Sequence, residues 1–282
     1  MINQTTTTNN STMRSGFPAN FLKIFAALTM VVDHAAVTLL FAKMAKYPDF
    51  VKIAFSVDST AEEVATISAD FLSLYSTYSI MRLVGRIAFP LFAFLLFEGF
   101  MHTSDIKKYL MRVGICALVA EIPFNLVVSA SAPIYGIADV KTSLFYPQYQ
   151  NTVFTFFIAL LMLYGMKHFE SAEPTPKAAC RQLFGQLLCV VAACAVAILA
   201  RTDYSYLGIL LIAVFYFFRH QKKMQILCGC ILFLGINIAS LLAFIPIALY
   251  NGTQIPSKKF RYFFYIFYPA HLLILFLISL LM

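Results

Sequence analysis

Charged residues and tryptophan are both scarce in this chain of 282 residues. Only 12% of the residues are charged, whereas 61% are apolar, and the mean hydropathy is +0.80. A soluble domain of this size needs a polar shell, so the composition excludes an ordinary water-soluble protein. Tryptophan is absent, and any aromatic belt at a membrane interface must therefore come from the 15 tyrosines and 29 phenylalanines. The composition predicts an integral membrane protein.

Several catalytic and metal-binding motifs are also absent. None of the six cysteines forms a CxxC pair, so we expect buried thiols and neither a disulfide nor a metal site. The sequence contains no GxSxG, no HExxH and no glycine-rich nucleotide loop. These absences argue against a serine hydrolase, a zinc protease and a P-loop enzyme.

The net charge of +8 comes from basic residues that are scattered between apolar segments. A nucleic-acid-binding protein would concentrate them in one patch, so we expect no nucleic-acid partner. The first 20 residues are polar and are predicted to form a disordered cytoplasmic tail. Residues 21–282 are predicted to form a single multi-pass domain in the cytoplasmic membrane.

Eight apolar segments predict an all-α, polytopic bundle with about eight transmembrane helices. The segments are 22–42, 80–101, 109–130, 152–167, 184–200, 205–219, 226–249 and 263–281. With both termini in the cytoplasm, the inside loops carry eleven Lys and Arg residues and the outside loops eight, a weak bias. Either the seventh segment does not cross fully, or the outside cluster Lys258–Arg261 binds an anion. The long loop 43–79 is expected outside, as a solvated connector or as a lid over the site.

The dipeptide Asp33-His34 lies in the middle of the first apolar segment. A charged side chain at the bilayer centre costs roughly 2.5–3.5 kcal/mol on insertion scales, so such residues are functional candidates. An imidazole close to a carboxylate is a common arrangement for a general base. Adjacent residues of a helix point in different directions, however, so Asp33 is also a candidate partner for an arginine of the second segment.

The second segment carries Arg82 and Arg86, which share one face of a helix because they are four residues apart. Pro90 removes the hydrogen bond to the carbonyl of residue 86 and is expected to kink the helix there. Two guanidiniums in a membrane need carboxylate partners or an anionic ligand. Glu98 and His102 follow near the cytoplasmic end.

Further polar residues interrupt the later segments. Glu121 is expected either to pair with Arg86 as interhelical glue or to act in the site directly. Asn151 fits a helix cap or an amide donor. The hairpin between the fifth and sixth segments carries Asp203 and Tyr204, and Asp203 also fits a surface pair with the nearby Arg201. His271 in the last segment is a candidate second proton station beside His34.

The sequence resembles the TraX family of multi-pass membrane proteins, whose founding member acetylates the N-terminus of conjugative pilin. The motifs that carry the resemblance include Met30-Val-Val-Asp33-His34, Arg82-Leu-Val-Gly85-Arg86-Ile-Ala-Phe89-Pro90, Glu121-Ile-Pro123-Phe124 and Tyr268-Pro269-Ala-His271. The resemblance runs from about residue 21 to the C-terminus. The chain departs from the pattern at Ser205, where a glycine is expected, and in the length of loop 43–79.

The resemblance implies a transfer reaction with acetyl-CoA, or another acyl-CoA, as the donor and without a metal. His34 would be the general base or a transient acyl carrier, supported by Asp33 and Arg86. The residues implied in cofactor binding are Arg82, His102, Lys107, Lys108 and Arg112, and those implied in binding or supporting the acceptor are Glu98, Glu121, Asn151, Asp203, Tyr204 and His271.

We therefore expect an acyltransferase that acts on an amine or hydroxyl of a pilin-like protein, a glycan or a small molecule. A proton-coupled transporter is the main alternative, since Asp33, His34, Glu98 and Glu121 would suit a proton relay while the arginines bind an anion. The absence of matching sequence halves counts against it. The third reading is a pilus-assembly component without catalysis, in which the buried charges only hold helices together.

Overall fold

The computed structural model describes residues 16–47, 68–131, 149–171, 175–253 and 258–282, and within these ranges the regular structure is helical, without a strand. The helices are α1 Ala19–Met44, α2 Ala69–Gly85, α3 Ala88–His102, α4 Ile106–Ser131, α5 Thr152–His168, α6 Pro176–Leu199, α7 Ser205–Phe217, α8 Lys222–Leu234, α9 Phe244–Ala248 and α10 Lys258–Ser279. A π-helical turn, Ala36–Leu40, lies within α1.

Five stretches of the described chain are long and apolar enough to cross a membrane. They are α1, the joined pair α2 and α3, α4, α6 and α10, while α5 and α7 are shorter apolar helices. The outer faces are apolar as well, with Phe184 70% and Leu118 65% exposed. Such faces suit lipid and not water, so the predicted all-α membrane bundle is confirmed.

The core of the bundle lies where α3, α5 and α7 pack together. Large side chains such as Phe100, Leu160 and Phe215 are almost completely buried there. Gly208 of α7 lies directly against the side chains of Phe89 and Thr155, so a larger residue would separate α7 from α3 and α5. This packing fixes the start of α7, which carries part of the site described below.

The seventh predicted segment is divided into two arms that fold back on each other. α8 ends at Leu234, and a 3-10 turn, Ile238–Ala243, leads into α9. Lys222, the first residue of α8, donates a hydrogen bond to the carbonyl of Tyr250, just after α9, at 2.6 Å. Both ends of the segment therefore lie at the same end of the bundle, and the open question of whether it crosses is answered: it re-enters.

The near side is defined here as the end of the bundle where α1 begins, and the far side as the end where α1 finishes. Phe17 pairs with Leu249 through the backbone on the near side. On the far side, Lys46 donates to the carbonyl of Met282. The last residue therefore lies at the end of the bundle opposite the start of α1, while the side of the membrane on which each terminus lies stays a prediction. That prediction counted the re-entrant segment as a full crossing.

Two predicted boundaries also change. Residues 16–18, assigned to the tail, have defined positions next to α9, and residues 1–15 lie outside the described part of the chain. The predicted loop 43–79 is shorter, because α1 continues to Met44 and α2 already begins at Ala69, where Ser68 caps the helix. The part of that loop between residues 48 and 67 lies outside the described ranges.

Candidate active site

The break between α2 and α3 places both arginines of the second segment inside the bundle. Because Pro90 has no N–H, the carbonyl of Arg86 has no helical partner there, and the helix stops at Gly85 and resumes at Ala88. The predicted kink is thus confirmed. Arg82 lies in the last turn of α2 and Arg86 in the break itself.

Asp33 of α1 forms an ion pair with Arg82 of α2. The Oδ2 atom of Asp33 accepts a hydrogen bond from Nη1 of Arg82 at 2.6 Å, and each side chain is less than one-fifth exposed. Asp33 rests directly on Gly85, where an added Cβ would lie 2.2 Å from the Asp33 side chain. The sequence left the arginine partner of Asp33 open; in the structure the ion pair is with Arg82.

Arg86 bonds to the hydroxyl of Tyr204 in the hairpin between α6 and α7. The Tyr204 ring stacks on Phe89 with a centroid distance of 3.6 Å. Tyr204 and Ser205 both have positive φ angles, 60° and 40°, which are uncommon for residues other than glycine. At position 205, where a glycine is expected and this chain has a serine, the backbone therefore does adopt the left-handed region.

Asp203 faces the site and not the surface. Its Oδ2 atom accepts a hydrogen bond from the Thr152 hydroxyl at 2.6 Å, and its Oδ1 atom accepts from the backbone N–H of Tyr204 at 3.0 Å. The structure gives it no ion pair with Arg201, so the surface-pair interpretation is wrong. The tight hairpin turns Asp203 inward, because its backbone N–H bonds to the carbonyl of Gln150.

His34 and His271 meet across α1 and α10. Nδ1 of His34 and Nε2 of His271 are 2.6 Å apart, and Nδ1 of His271 is 2.9 Å from the carbonyl oxygen of Phe267. The predicted proximity of the two imidazoles is thus present in the fold. Asp33 is not the partner of His34, since its side chain turns to Arg82.

A cavity of about 460 Å³ connects these groups. Its polar wall consists of Asp33, His34, Arg82, Arg86, Thr152, Asp203 and Tyr204. The remaining wall is mostly apolar or aromatic and follows α4 from Tyr109 to Val128. This stretch of helix rises about 28 Å, close to the thickness of the hydrocarbon core. The cavity therefore joins a long apolar passage to one compact polar cluster.

The polar wall is balanced in charge. Two guanidiniums, Arg82 and Arg86, face two carboxylates, Asp33 and Asp203. A fixed anion such as phosphate would leave an excess negative charge in this low-dielectric site. The arrangement suits a neutral substrate group that develops charge only during a reaction.

Glu121 and Asn151 form a separate hydrogen-bonded pair between α4 and α5. The amide of Asn151 donates to Oε2 of Glu121 at 2.6 Å and to the carbonyl of Ala117 at 2.9 Å, while its oxygen caps α5 through Val153. The cap and the amide-donor interpretations of Asn151 are both correct. The predicted Glu121–Arg86 ion pair is wrong, because Glu121 bonds to Asn151. Neither Glu121 nor Asn151 lines the cavity.

Glu98 and His102 lie at the near side, apart from the cavity. Glu98 accepts a hydrogen bond from the hydroxyl of Tyr250 at 3.0 Å, and His102 bonds to the carbonyl of Glu98. The Glu98–Tyr250 hydrogen bond fastens the re-entrant segment to α3, while Lys222 closes that segment on itself. The proton relay that combined Glu98 and Glu121 with Asp33 and His34 is therefore not assembled among the described residues.

The basic residues predicted to meet the donor divide into two groups. Arg82 belongs to the central cluster, whereas Lys107, Lys108 and Arg112 lie on the first turns of α4 at the near side. Lys107 and Lys108 are exposed, and the backbone N–H of Lys108 bonds to Asp105 and lowers the pKa of that exposed carboxyl. Arg112 lies over the ring of Tyr109, which lines the near end of the cavity.

Three residues of the site were not predicted from the sequence. Gly85 makes room for Asp33, Thr152 holds Asp203, and Cys116 lines the passage while its thiol bonds to the carbonyl of Tyr265. The sequence contained a signal for each of them. Gly85 lies between two arginines, and Thr152 is a hydroxyl residue at the start of a helix. Pro269 leaves the carbonyl of Tyr265 without a helical donor, so that this carbonyl can accept from Cys116. Among the described residues, no group of His, Cys, Asp or Glu has the arrangement of a metal site.

Comparison with known proteins identifies one family. The sequence model described as "TraX protein" matches residues 19–279. A stretch of 86 residues is 38% identical to the probable fimbrial assembly protein FimC, serogroup H1, of Dichelobacter nodosus. That match covers 30% of this chain, and the chain spans about a third (33%) of the length of that relative. No solved structure matches the chain.

Proposed function

The chain belongs to the TraX family, and on this premise we propose that it is an integral-membrane acyltransferase that moves an acetyl group from acetyl-CoA to an amine or a hydroxyl. The observation that carries the proposal is the position of His34. Its imidazole is held by His271 on one side and lines the cavity on the other, beside Arg86.

In this reaction His34 acts as the general base. The lone pair of the acceptor attacks the thioester carbon while His34 takes the proton that the acceptor loses. The new bond joins the acceptor nitrogen or oxygen to the acyl carbon, and the carbon–sulfur bond breaks. The departing thiolate receives the proton back from the imidazolium, so that the enzyme ends as it began and free coenzyme A leaves as a thiol.

Arg86 and Tyr204 suit the stabilisation of the developing oxyanion. The guanidinium and the hydroxyl lie together on the cavity wall, and among the described residues Arg86 has no direct ion pair of the kind that Arg82 forms with Asp33. Preorganised donors in a dry site are worth more than in water, because they need no reorganisation when charge develops. Asp33 and Arg82 then serve to hold the wall in place.

The donor enters from the near side in this proposal. Lys107, Lys108 and Arg112 at the start of α4 meet the phosphates of coenzyme A, while the neutral arm of the donor follows the apolar passage to His34. The balanced central cluster favours this division, since phosphate would not be stabilised there.

The near side is proposed to face the cytoplasm. With the seventh segment re-entrant, the near side carries fourteen Lys and Arg residues along the sequence and the far side five. This is a stronger bias than the eleven and eight obtained with a full crossing, and it follows the positive-inside rule. In intact cells, an epitope tag placed after Met282 should be removed by external protease, whereas an N-terminal tag should be protected. Equal protection of both tags would contradict this orientation.

The acceptor is proposed to be the amine of a pilin or fimbrial subunit. The support is the family itself and the name of the Dichelobacter nodosus relative, a probable fimbrial assembly protein. A glycan hydroxyl or a small-molecule amine would use the same central chemistry. The acceptor is therefore best found with membrane extract as its source.

The test is thiol release from acetyl-CoA by the purified protein in liposomes with membrane extract. His34→Ala should lower the rate about 10²–10⁴-fold, the usual contribution of a positioned acid–base group. His220→Ala is the matched control, because that imidazole is exposed in the α7–α8 turn and outside the cavity. Acetyl label that stays on the wild-type protein in the absence of acceptor, and not on His34→Ala, would identify His34 as an acyl carrier. If coenzyme A neither binds nor turns over, the enzyme proposal fails and transport should be tested.

A further inference from the structure

We infer that His271 is a positioning residue that fixes the tautomer of His34 and makes Nε2 of His34 the reacting atom. The inference rests on the proposed function for its catalytic consequence. Its structural part stands on the hydrogen bonds alone and can be tested without any substrate.

The assignment begins at a carbonyl oxygen. The oxygen of Phe267 can only accept, so the Nδ1 atom of His271, 2.9 Å away, must carry a hydrogen. A neutral imidazole has one N–H, and Nε2 of His271 is then an acceptor. Nδ1 of His34, at 2.6 Å from that acceptor, must donate, which leaves the lone pair of His34 on Nε2.

The ring geometry agrees with a strong bond of this kind. The two ring planes are 17° apart, with a centroid distance of 4.9 Å. Such a short nitrogen–nitrogen distance between nearly coplanar rings means that the imidazoles meet edge to edge, as an in-plane N–H donor and lone pair require. His271 is 6% exposed and does not line the cavity, whereas His34 does. The pair is therefore directional: His34 faces the substrate space and His271 lies behind it.

The partner behind His34 is neutral where many general bases have a carboxylate. Asp33, the adjacent carboxylate, is committed to Arg82. A neutral imidazole orients His34 without adding a negative charge to a polar wall that is already balanced. It also ends the chain of hydrogen bonds, because the Phe267 carbonyl cannot pass a proton onward. A proton taken by His34 therefore has no onward path through His271, which suits group transfer better than proton transport.

The first experiment measures the tautomer directly. Protein labelled with ¹⁵N at its five histidines is examined by NMR, and the His34 signals are assigned from their loss in His34→Ala. We expect His34 to carry its hydrogen on Nδ1 and a bare Nε2. In His271→Ala the His34 signals should change to a mixture of tautomers, whereas His220→Ala should leave them unchanged. A wild-type His34 with its hydrogen on Nε2 would overturn the inference whatever the activity.

The second experiment uses rescue. His271→Gln retains an acceptor oxygen near the position of Nε2, while His271→Ala does not. Acetyl transfer should fall about 10- to 100-fold in His271→Ala, by analogy with residues that orient a metal-ligating histidine, and should largely recover in His271→Gln. Equal loss in both variants, with folded protein and a correct tautomer in wild type, would contradict a positioning role. Absence of transfer in wild type would instead reject the proposed function and leave the tautomer result standing.

Discussion

Asp33 and Glu121 are both carboxylates inside the membrane, yet they do different work. Asp33 lines a cavity and holds an arginine beside an imidazole. Glu121 accepts hydrogen bonds from Asn151 between two helices and does not line this cavity. Intramembrane charge alone therefore does not identify an active site. What separates the two is access to a space in which a substrate fits.

The largest effect is expected at the Asp33–Arg82 pair. Asp33→Ala leaves Arg82 buried without its partner, which should lower the free energy of unfolding by about 3–5 kcal/mol. Adding Arg82→Ala removes the unpaired charge and should recover part of that loss in stability, whereas acetyl transfer should be lost in both the single and the double variant. Thermal unfolding of the purified variants in detergent measures both changes. A double variant as unstable as Asp33→Ala would mean that the pair contributes through packing and not through charge.

A smaller effect is expected from a substitution at Gly85, which packs against Asp33 of the same ion pair. Gly85→Ala should push Asp33 away from its position, since an added Cβ would overlap its side chain. Displacing a positioned group by about 1 Å costs about a hundredfold in rate, so activity should fall by that order. Gly235→Ala is the matched control, because nothing lies within 4 Å of the corresponding Cβ. Full activity in Gly85→Ala would show that the position of Asp33 is not critical.

Glu121 is the carboxylate outside the cavity, so its removal should affect stability and not activity. Glu121→Ala removes the acceptor of two hydrogen bonds from Asn151 and should lower the free energy of unfolding by about 1–3 kcal/mol. Activity per folded molecule should remain unchanged, because the residue lies outside the cavity. Glu121→Gln keeps an acceptor oxygen and should restore most of the stability. Loss of turnover in well-folded Glu121→Gln would place this carboxylate in the reaction after all.

The smallest effect is a gain. Ser205 has a φ of 40° beside Tyr204, so Ser205→Gly should relieve backbone strain and stabilise the protein by about 1 kcal/mol. Ser205→Ala, which keeps the Cβ, should give no such gain. The melting temperatures of the two variants measure the difference. A fall in stability for the glycine variant would show that the hairpin is not strained at this residue.

The sequence predicted most of the fold because long apolar runs can only be helices in a membrane. It also selected Asp33, His34, Arg86 and His271, since burying ionisable groups in such runs is costly. It named possible partners for these residues but left the actual pairings open. The contact between His34 and His271 joins residues 237 positions apart, and nothing in either local sequence encodes it. The break before Pro90 was predictable, but not which arginine it would direct to Asp33.

The re-entrant segment shows a second limit of the sequence. Its length and hydropathy match a full crossing, and Gly235, the cap at Asn237 and Pro246 interrupt it. The fold is decided by contacts at its ends, where Lys222 reaches the carbonyl of Tyr250. Both termini of the chain were assigned to one side for this reason. A pairing between ends of a segment, and not its composition, sets the side on which α10 begins.

The π-helical turn Ala36–Leu40 directly follows His34 in α1. Such a turn holds one residue more than an α-helical turn, so the residues after it are rotated by about 100° relative to an uninterrupted helix. One half of α1 directs Asp33 and His34 toward the cavity, while the other half packs Phe41 and Met44 against Phe71. Because of the extra residue, the two halves of α1 direct their packing faces in different directions around the helix axis. Substitutions can thus alter the anchoring of α1 to α2 without turning His34 away from the cavity.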